Sequence, residues 1–281
     1  MGESAKKLLT ENVIRVGSLD ELDVDLVNSY VDRSAFAAVR GLFSKEHMAA
    51  VYQRVRAGFD ASRDRASIGE RPLEVMKNFQ KISIGGAGNH WDYRPRFMRV
   101  IYNPLWEPDI YGMHETFRVL ARVRNKLQGN PLDYAVDKVE EGFWTAARMQ
   151  HYPTGGGNIS RHRDAVISTV TGDAGVRRFQ QMLLLMTSKG EHYEEGGAFM
   201  DVDGEIIELE DEFKAGDVVI YDGTTMHGVH DIDPRRVPTL QTLDGRLVAL
   251  VSLYKDMSAD AKSYAGYENT FVDAERPPES R

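Results

Sequence analysis

Residues 215–232 read AGDVVIYDGTTMHGVHDI, and the interpretation of this stretch decides the fold. Ala215-Gly216-Asp217 is a turn signal, Val218 to Tyr221 is a short apolar run rich in β-formers, and two histidines, His227 and His230, follow within a few residues. A helix of ordinary length does not fit between such breakers, whereas a strand does.

The same texture extends outward in both directions from about Phe143. WTAARMQHY (144–152), RRFQQMLLLMT (177–187), GAFMDV (197–202), GEIIEL (204–209) and RLVALVSLY (246–254) are the clearest runs. Gly155-Gly156-Gly157, Glu195-Gly196-Gly197, Asp203-Gly204 and Asp244-Gly245 separate them. Regularly punctuated short strands predict an all-β sandwich or barrel, and the lack of a 20–50-residue repeat excludes a propeller or solenoid. Upstream, SKEHMAAVYQRVRAGFD from Ser44 to Asp60 places Met48, Val51, Val55 and Phe59 at helical spacing behind a Ser cap. A second helix is expected from Asp109 to Leu127, with Ile110, Met113, Phe117, Leu120, Val123 and Leu127 as its buried stripe and Gly129-Asn130-Pro131 as its stop. Between them, Phe79 to Pro108 reads as irregular structure with one strand. Three stretches follow: residues 1–140 as helical and lid elements packed on a core, 141–257 as the β core, and 258–281 as a polar tail.

Composition narrows the chemistry. The 281 residues carry 35 Lys+Arg against 43 Asp+Glu, a formal charge of −8, which argues against a polyanionic partner such as nucleic acid or an anionic membrane surface. There is no cysteine, so disulfides, thiolate nucleophiles and Cys-based zinc or iron–sulfur sites are excluded. The start of the sequence has no apolar core of signal-peptide length and no run of ~18 apolar residues occurs, so a cytoplasmic location is expected. Nothing in the composition fixes an oligomeric state.

A metal held without cysteine needs His and carboxylate. On a strand, residues i and i+2 share a face, so His-x-Asp directs an imidazole and a carboxylate to one point, and one distant His completes a facial triad suited to iron(II) with open positions. His90-Trp91-Asp92, His162-Arg163-Asp164 and His192-Tyr193-Glu194 all have this form. His162-Arg163-Asp164 lies inside the β region after a Gly turn, while the other two lie in an irregular segment and a charged turn and read as surface or lid residues. His227 and His230 are three apart and so face opposite sides of a strand, which leaves one of them for the metal.

In that order and spacing the chain resembles the iron(II)- and 2-oxoglutarate-dependent oxygenases, above all the phytanoyl-CoA dioxygenase-like hydroxylases. The resemblance runs over roughly Arg148 to Tyr254: a strand and Gly turn leading to His162-x-Asp164, a strand closed by Glu195-Gly196-Gly197, Gly216-Asp217 leading to His227-Gly-Val, and Gly245-Arg246 opening the last strand. It implies a mainly β protein with flanking α-helices, a double-stranded β-helix (jelly roll, cupin-like). It further implies that His162, Asp164 and His227 bind Fe(II), with 2-oxoglutarate and O2 as co-substrates, and that Arg246 pairs with the distal carboxylate of 2-oxoglutarate. A guanidinium can grip such a carboxylate with two charge-assisted hydrogen bonds. Arg235 and Arg236 compete with it for that role. Gln150 and Tyr152, on one face of the preceding strand, are further co-substrate contacts. An acid at position 164 favours hydroxylation over halogenation, and the expected product is a hydroxylated small polar metabolite, anionic or amino-acid-like. Trp91, Tyr93, Arg94, Arg96, Phe97, Arg99 and Tyr102 would form a lid over it. Two other classes fit parts of the pattern: a metal-dependent cupin enzyme that does not use 2-oxoglutarate, and a non-catalytic jelly-roll binding protein.

Overall fold

Two long strands, β6 (Phe143–Pro153) and β13 (Gly245–Lys255), pair antiparallel along their whole length, from Gly245 opposite Pro153 to Lys255 opposite Phe143. Each is covered on both faces, which is why RLVALVSLY reads as an almost unbroken apolar run instead of an alternating one. Ala147, Met149, Leu247, Ala249 and Val251 face one core, whereas Trp144, Ala146, Val248, Leu250 and Tyr254 face another.

The computed structural model describes residues 2–66, 72–84, 96–164, 180–255 and 271–272. Among these, the helices are α1 (Glu3–Glu11), α2 (Val24–Ser34), α3 (Lys45–Gly58), α4 (Pro72–Val75) and α5 (His114–Gln128). The remaining strands are β1 (Val13–Arg15), β2 (Phe36–Arg40), β3 (Arg65–Ala66), β4 (Phe79–Ser83), β5 (Met98–Tyr102), β7 (Gly157–Asp164), β8 (Gln180–Leu185), β9 (Gly197–Val202), β10 (Glu205–Glu208), β11 (Val218–Asp222), β12 (Met226–Ile232) and β14 (Phe271–Val272).

They form two sheets, in the orders β1-β2-β11-β8-β13-β6-β5-β4-β3 and β10-β9-β12-β7-β14. From β6 onward successive strands wind between the sheets, with β6, β8, β11 and β13 in the larger and β7, β9, β10 and β12 in the smaller. That is the double-stranded β-helix implied by the family resemblance, and it agrees with the sandwich or barrel expected from the runs. Between the sheets lie Ile159, Ala198, Met200 and Val229 against Trp144, Val248 and Leu250. The outer face of the larger sheet is covered by α3 and α5 through Met48, Val51, Val55, Phe117 and Leu120.

Both helices start and stop for identifiable reasons. The Ser44 side chain accepts the His47 backbone N–H at 3.1 Å and caps α3. The start of α5 falls later than the apolar stripe implied: the Asp109 carboxylate accepts from Met113 N and His114 N, and so ends the preceding loop instead of beginning the helix. At its other end Gly129 has φ +71°, the left-handed conformation that closes a helix at least cost for glycine.

The N-terminal 140 residues contribute strands as well as helices. β2 pairs with β11 and β5 with β6, so the first part of the chain extends the larger sheet at both edges. Within Phe79 to Pro108 there are thus two strands instead of the one expected: β4 and β5 pair antiparallel from Phe79 opposite Tyr102 to Ser83 opposite Met98. The sequence concealed this because the apolar content of β4 and β5 is shared with Gln80, Lys81 and Arg99, all of which are buried. Beyond Tyr254, Phe271 and Val272 form backbone pairs with Asp164 and Arg163, so the stretch expected as a polar tail adds a short strand beside β7.

A buried polar network ties β5 and β6 to the loops above them. Arg99, fully buried, grips the Asp64 carboxylate through Nε and Nη2, donates from Nη2 to Leu240 O at 2.7 Å, and lies over the Phe59 ring. Its Nη1 is 2.8 Å from His151 Nδ1, and because arginine can only donate, that nitrogen must accept. His151 Nε2 then donates to Asp244 O at 3.1 Å. Burial, reinforced by the Arg99 charge, lowers the His151 pKa to about 3. The unfolded chain therefore takes up a proton near the ordinary His value of about 6.5 while the folded chain does not. Stability is complete above about pH 6.5 and falls by up to ~1.4 kcal/mol per pH unit as pH drops towards about 3. Denaturant titrations between pH 7 and 4 should show this slope, and His151→Gln, which can accept and donate at the same two points without titrating, should flatten it. An equal slope in His151→Gln would assign the acid lability elsewhere.

Candidate metal centre

His162, Asp164 and His227 each direct one ligand atom to a common point, all within 4.8 Å of one another. The local sequence explains the convergence. His162 and His227 sit opposite each other in the β7–β12 ladder, with ring centroids 4.4 Å apart. Between the pairs Ile159–Val229 and His162–His227 the β7 strand advances one residue more than β12, a bulge that turns both Ile159 and His162 inward. Asp164, two residues after His162, follows on the same face, and its backbone N–H bonds Gly223 O at 2.8 Å, fixing the end of β7 to the turn that precedes His227. That turn is braced by the Asp222 side chain, which accepts from Thr224 N at 2.9 Å and Thr224 Oγ1 at 2.8 Å.

Both imidazoles are fixed in the tautomer a metal requires. His162 Nδ1 lies 2.7 Å from Ser160 O and His227 Nδ1 lies 2.8 Å from Thr225 O. A carbonyl only accepts, so each Nδ1 carries the proton and each Nε2 presents its lone pair. The Nε2 atoms lie 3.6 Å and 3.5 Å from the two Asp164 oxygens, far enough apart for an ion between them. Burial lowers the His227 pKa, with His162 acting in the same sense and Asp164 against it, so His227 stays neutral and ligand-competent to lower pH. Burial alone would raise the Asp164 carboxyl, but His227, His162 and Gln181 outweigh it and hold the group below its usual range.

Outer partners are built into the larger sheet. Gln181 Nε2 donates to Asp164 Oδ2 at 3.4 Å, Ser252 Oγ to Gln181 Oε1 at 3.5 Å, and Arg148 Nη1 to Ser252 Oγ at 3.0 Å. Rings of Tyr102 and Tyr254 flank Arg148. Tyr221, absent from the sequence-based site, packs edge-on against His227 at 4.9 Å, and burial together with Asp164 pushes its phenol well above the ordinary value. Its position one turn before the His-Gly-Val motif is the only signal that could have singled it out.

Arg246, Gln150 and Tyr152 are brought together deeper between the sheets. Arg246 is opposite Tyr152 in the β6–β13 ladder, with its guanidinium 5.1 Å from the Tyr152 ring centroid, and the Tyr152 hydroxyl donates to Gln150 Oε1 at 3.3 Å. Burial pushes the Tyr152 phenol up to about 12. Burial opposes the Arg246 charge, but Glu210, Tyr152 and Tyr221 outweigh it and the pKa is raised. The rival arginines sit elsewhere: Arg235 pairs with Glu195 and Arg236 with Asp233, both at the exposed loop after β12.

The other histidines are not part of this centre. His230 faces away, stacked on Phe199 at 4.2 Å and 3.2 Å from Glu208. His192 packs edge-on against Tyr52 and accepts from Ser188 N, and Tyr193 beside it is buried, so this segment is part of the packing instead of a surface turn. His90, Trp91, Asp92, Tyr93 and Arg94 lie outside the described residues. Of the remaining lid residues, Arg99 is committed to Asp64 on the helix side of the larger sheet, which removes it from substrate contact. Tyr102 is an interior residue, and Arg96 is exposed, its backbone paired with Asn158 at the opposite end of β7 from Asp164.

No family model and no curated protein sequence matches the chain. Solved structures do match. A prolyl-4-hydroxylase from Pseudomonas putida is 13% identical with a TM-score of 0.50, over 83% of this chain and 99% of that one. A prolyl hydroxylase from Trichoplax adhaerens, in complex with a hypoxia-inducible-factor oxygen degradation domain peptide, is 12% identical with a TM-score of 0.50, over 94% and 97%. At these identities the likeness establishes a shared fold.

Proposed function

We propose that this chain is an iron(II)- and 2-oxoglutarate-dependent dioxygenase of the phytanoyl-CoA dioxygenase-like kind, which hydroxylates an unactivated C–H bond of a small polar metabolite. The carrying observation is the convergence of His162 Nε2, His227 Nε2 and the Asp164 carboxylate, each imidazole locked by a carbonyl at its other nitrogen. Two imidazoles and one carboxylate are the donor set that suits iron(II) with open positions. When bound, the iron with 2-oxoglutarate and O2 supplies the oxidising power, converting the co-substrate to succinate and carbon dioxide.

The chain's own residues do the rest. His162, Asp164 and His227 hold the ion; Gln181 orients Asp164; Arg246, with Gln150 and Tyr152, binds the co-substrate and points its reactive end towards the ion. Tyr152, Tyr221 and Trp144 wall the interior with ring surface, which lowers the local dielectric and strengthens each charged contact there. Arg148, Gln181 and Ser252 make that interior polar, in keeping with a polar substrate, anionic or amino-acid-like.

Anaerobic titration of the iron-loaded protein with 2-oxoglutarate tests this reading through the weak visible charge-transfer band that chelation produces. A saturable band is expected. The cupin reading without 2-oxoglutarate draws on one observation, that Arg246 already faces a carboxylate of its own chain, Glu210. The double variant Arg246→Met/Glu210→Gln removes the guanidinium without stranding a buried anion, and should weaken 2-oxoglutarate by the roughly 2–5 kcal/mol of a lost buried charge pair while iron binding persists. No band in the parent protein, or an unchanged midpoint in the double variant, would favour the alternatives.

A further inference from the structure

Arg246, assigned above to the distal carboxylate of 2-oxoglutarate, already holds a carboxylate. Its Nε donates to Glu210 Oε1 at 2.7 Å, and its Nη2 lies 2.7 Å from the same oxygen, with both side chains only 2% exposed. Glu210 is anchored from behind: its Oε2 accepts the Tyr193 hydroxyl and its Oε1 also accepts the Ala198 N–H at 3.3 Å. Gly197 packs beside it: φ there is +119°, a conformation that favours glycine, and the position lies within van der Waals reach of Glu210 and the Tyr193 hydroxyl.

Arg246 spends one edge of its guanidinium on Glu210 and stacks on Tyr152, and among the described residues it makes no other hydrogen bond or ion pair. Its Nη2 is buried without a hydrogen-bond partner of good geometry. The Nη1/Nη2 edge therefore remains for an incoming carboxylate.

We propose that Glu210 is a specificity-determining counter-carboxylate, which neutralises Arg246 in place and holds the affinity for 2-oxoglutarate down. The inference rests on the co-substrate reading of Arg246. A buried guanidinium without Glu210 would be an unpaired charge, and a docking carboxylate would relieve the whole of that cost. With Glu210 present the cost is already met. The second carboxylate then arrives within the width of one guanidinium of a fixed like charge, in a medium that screens poorly. Tyr193 and Ala198 prevent Glu210 from swinging aside, so both anions must share the cation.

The test uses the full chain loaded with iron(II) under anaerobic conditions, comparing parent and Glu210→Gln. Each is titrated with 2-oxoglutarate and with 2-oxobutyrate, which lacks the distal carboxylate, and 2-oxoglutarate binding to the manganese(II)-loaded forms is measured by calorimetry. Glu210→Gln should bind 2-oxoglutarate at least about tenfold more tightly with 2-oxobutyrate unchanged. A misfolded variant cannot produce such a gain. Tyr193→Phe, which loosens the anchor and keeps the carboxylate, should move in the same direction by less. A clear band with 2-oxoglutarate affinity unchanged or weaker in Glu210→Gln would overturn the role of Glu210 alone. A band absent from both proteins would overturn the co-substrate reading and this inference with it, while a band seen only in Glu210→Gln would be the proposed effect at its extreme.

Discussion

Alanine at His162, Asp164 or His227 is expected to remove stoichiometric iron(II) from the purified protein, whereas His230→Ala should retain it. Loss of an outer partner of a metal ligand costs roughly 10–100-fold in affinity, and loss of a ligand itself should exceed that range. His230 provides the matched control because it lies three residues from His227 on the same strand, yet spends its imidazole on Glu208 and Phe199. Iron content after anaerobic reconstitution and desalting reads the difference without a substrate. Retention of metal in His227→Ala with loss in His230→Ala would reverse the assignment.

The second large effect is on stability. Asp64→Ala should destabilise the fold by about 3–5 kcal/mol, the usual consequence of stranding one member of a buried ion pair. The Arg99 side chain is inaccessible, and its remaining contacts, Leu240 O and His151, are neutral. Replacing both residues, as Asp64→Leu with Arg99→Met, should recover much of the loss, because apolar groups of similar volume often match a buried pair. Chemical denaturation of the three variants settles the point; a loss below about 1 kcal/mol in Asp64→Ala would show that water reaches Arg99 well enough to replace its partner.

Much of the β-helix was legible because its strands are punctuated by turns with few alternatives, such as Asp244-Gly245 before β13. The pairing of His162 with Asp164 was legible because period-two geometry places i and i+2 together; the same geometry set His227 and His230 on opposite faces without choosing between them, and the family resemblance pointed to His227. The bulge before His162 was not legible, since nothing in Ile159-Ser160-Arg161 distinguishes it from plain strand. β1 and β2 were missed for a different reason: three and five residues carry too little pattern, and β2 becomes a strand because β11 offers an edge, with β1 then pairing onto β2. Glu210 was hidden by its setting in ELEDE, which reads as solvated charge although that one glutamate is buried. Arg99 was misread in the opposite direction, as a lid cation, because its partner Asp64 is distant in sequence and an ion pair leaves no local signature.

The place of β13 in the larger sheet bears on how the protein is made. With the order β1-β2-β11-β8-β13-β6-β5-β4-β3, this strand alone among the described residues joins the half that contains β1 and β2 to the half that contains β3, β4 and β5. A nascent chain on the ribosome holds the strands of both halves before Gly245–Lys255 leaves the exit tunnel, and until then β8 and β6 each wait with an open edge. Such late, sequence-distant closure makes folding slow and exposes strands to misassociation. Arg246 enters on that same strand, so the cationic seat comes into being only at the moment the two halves are joined.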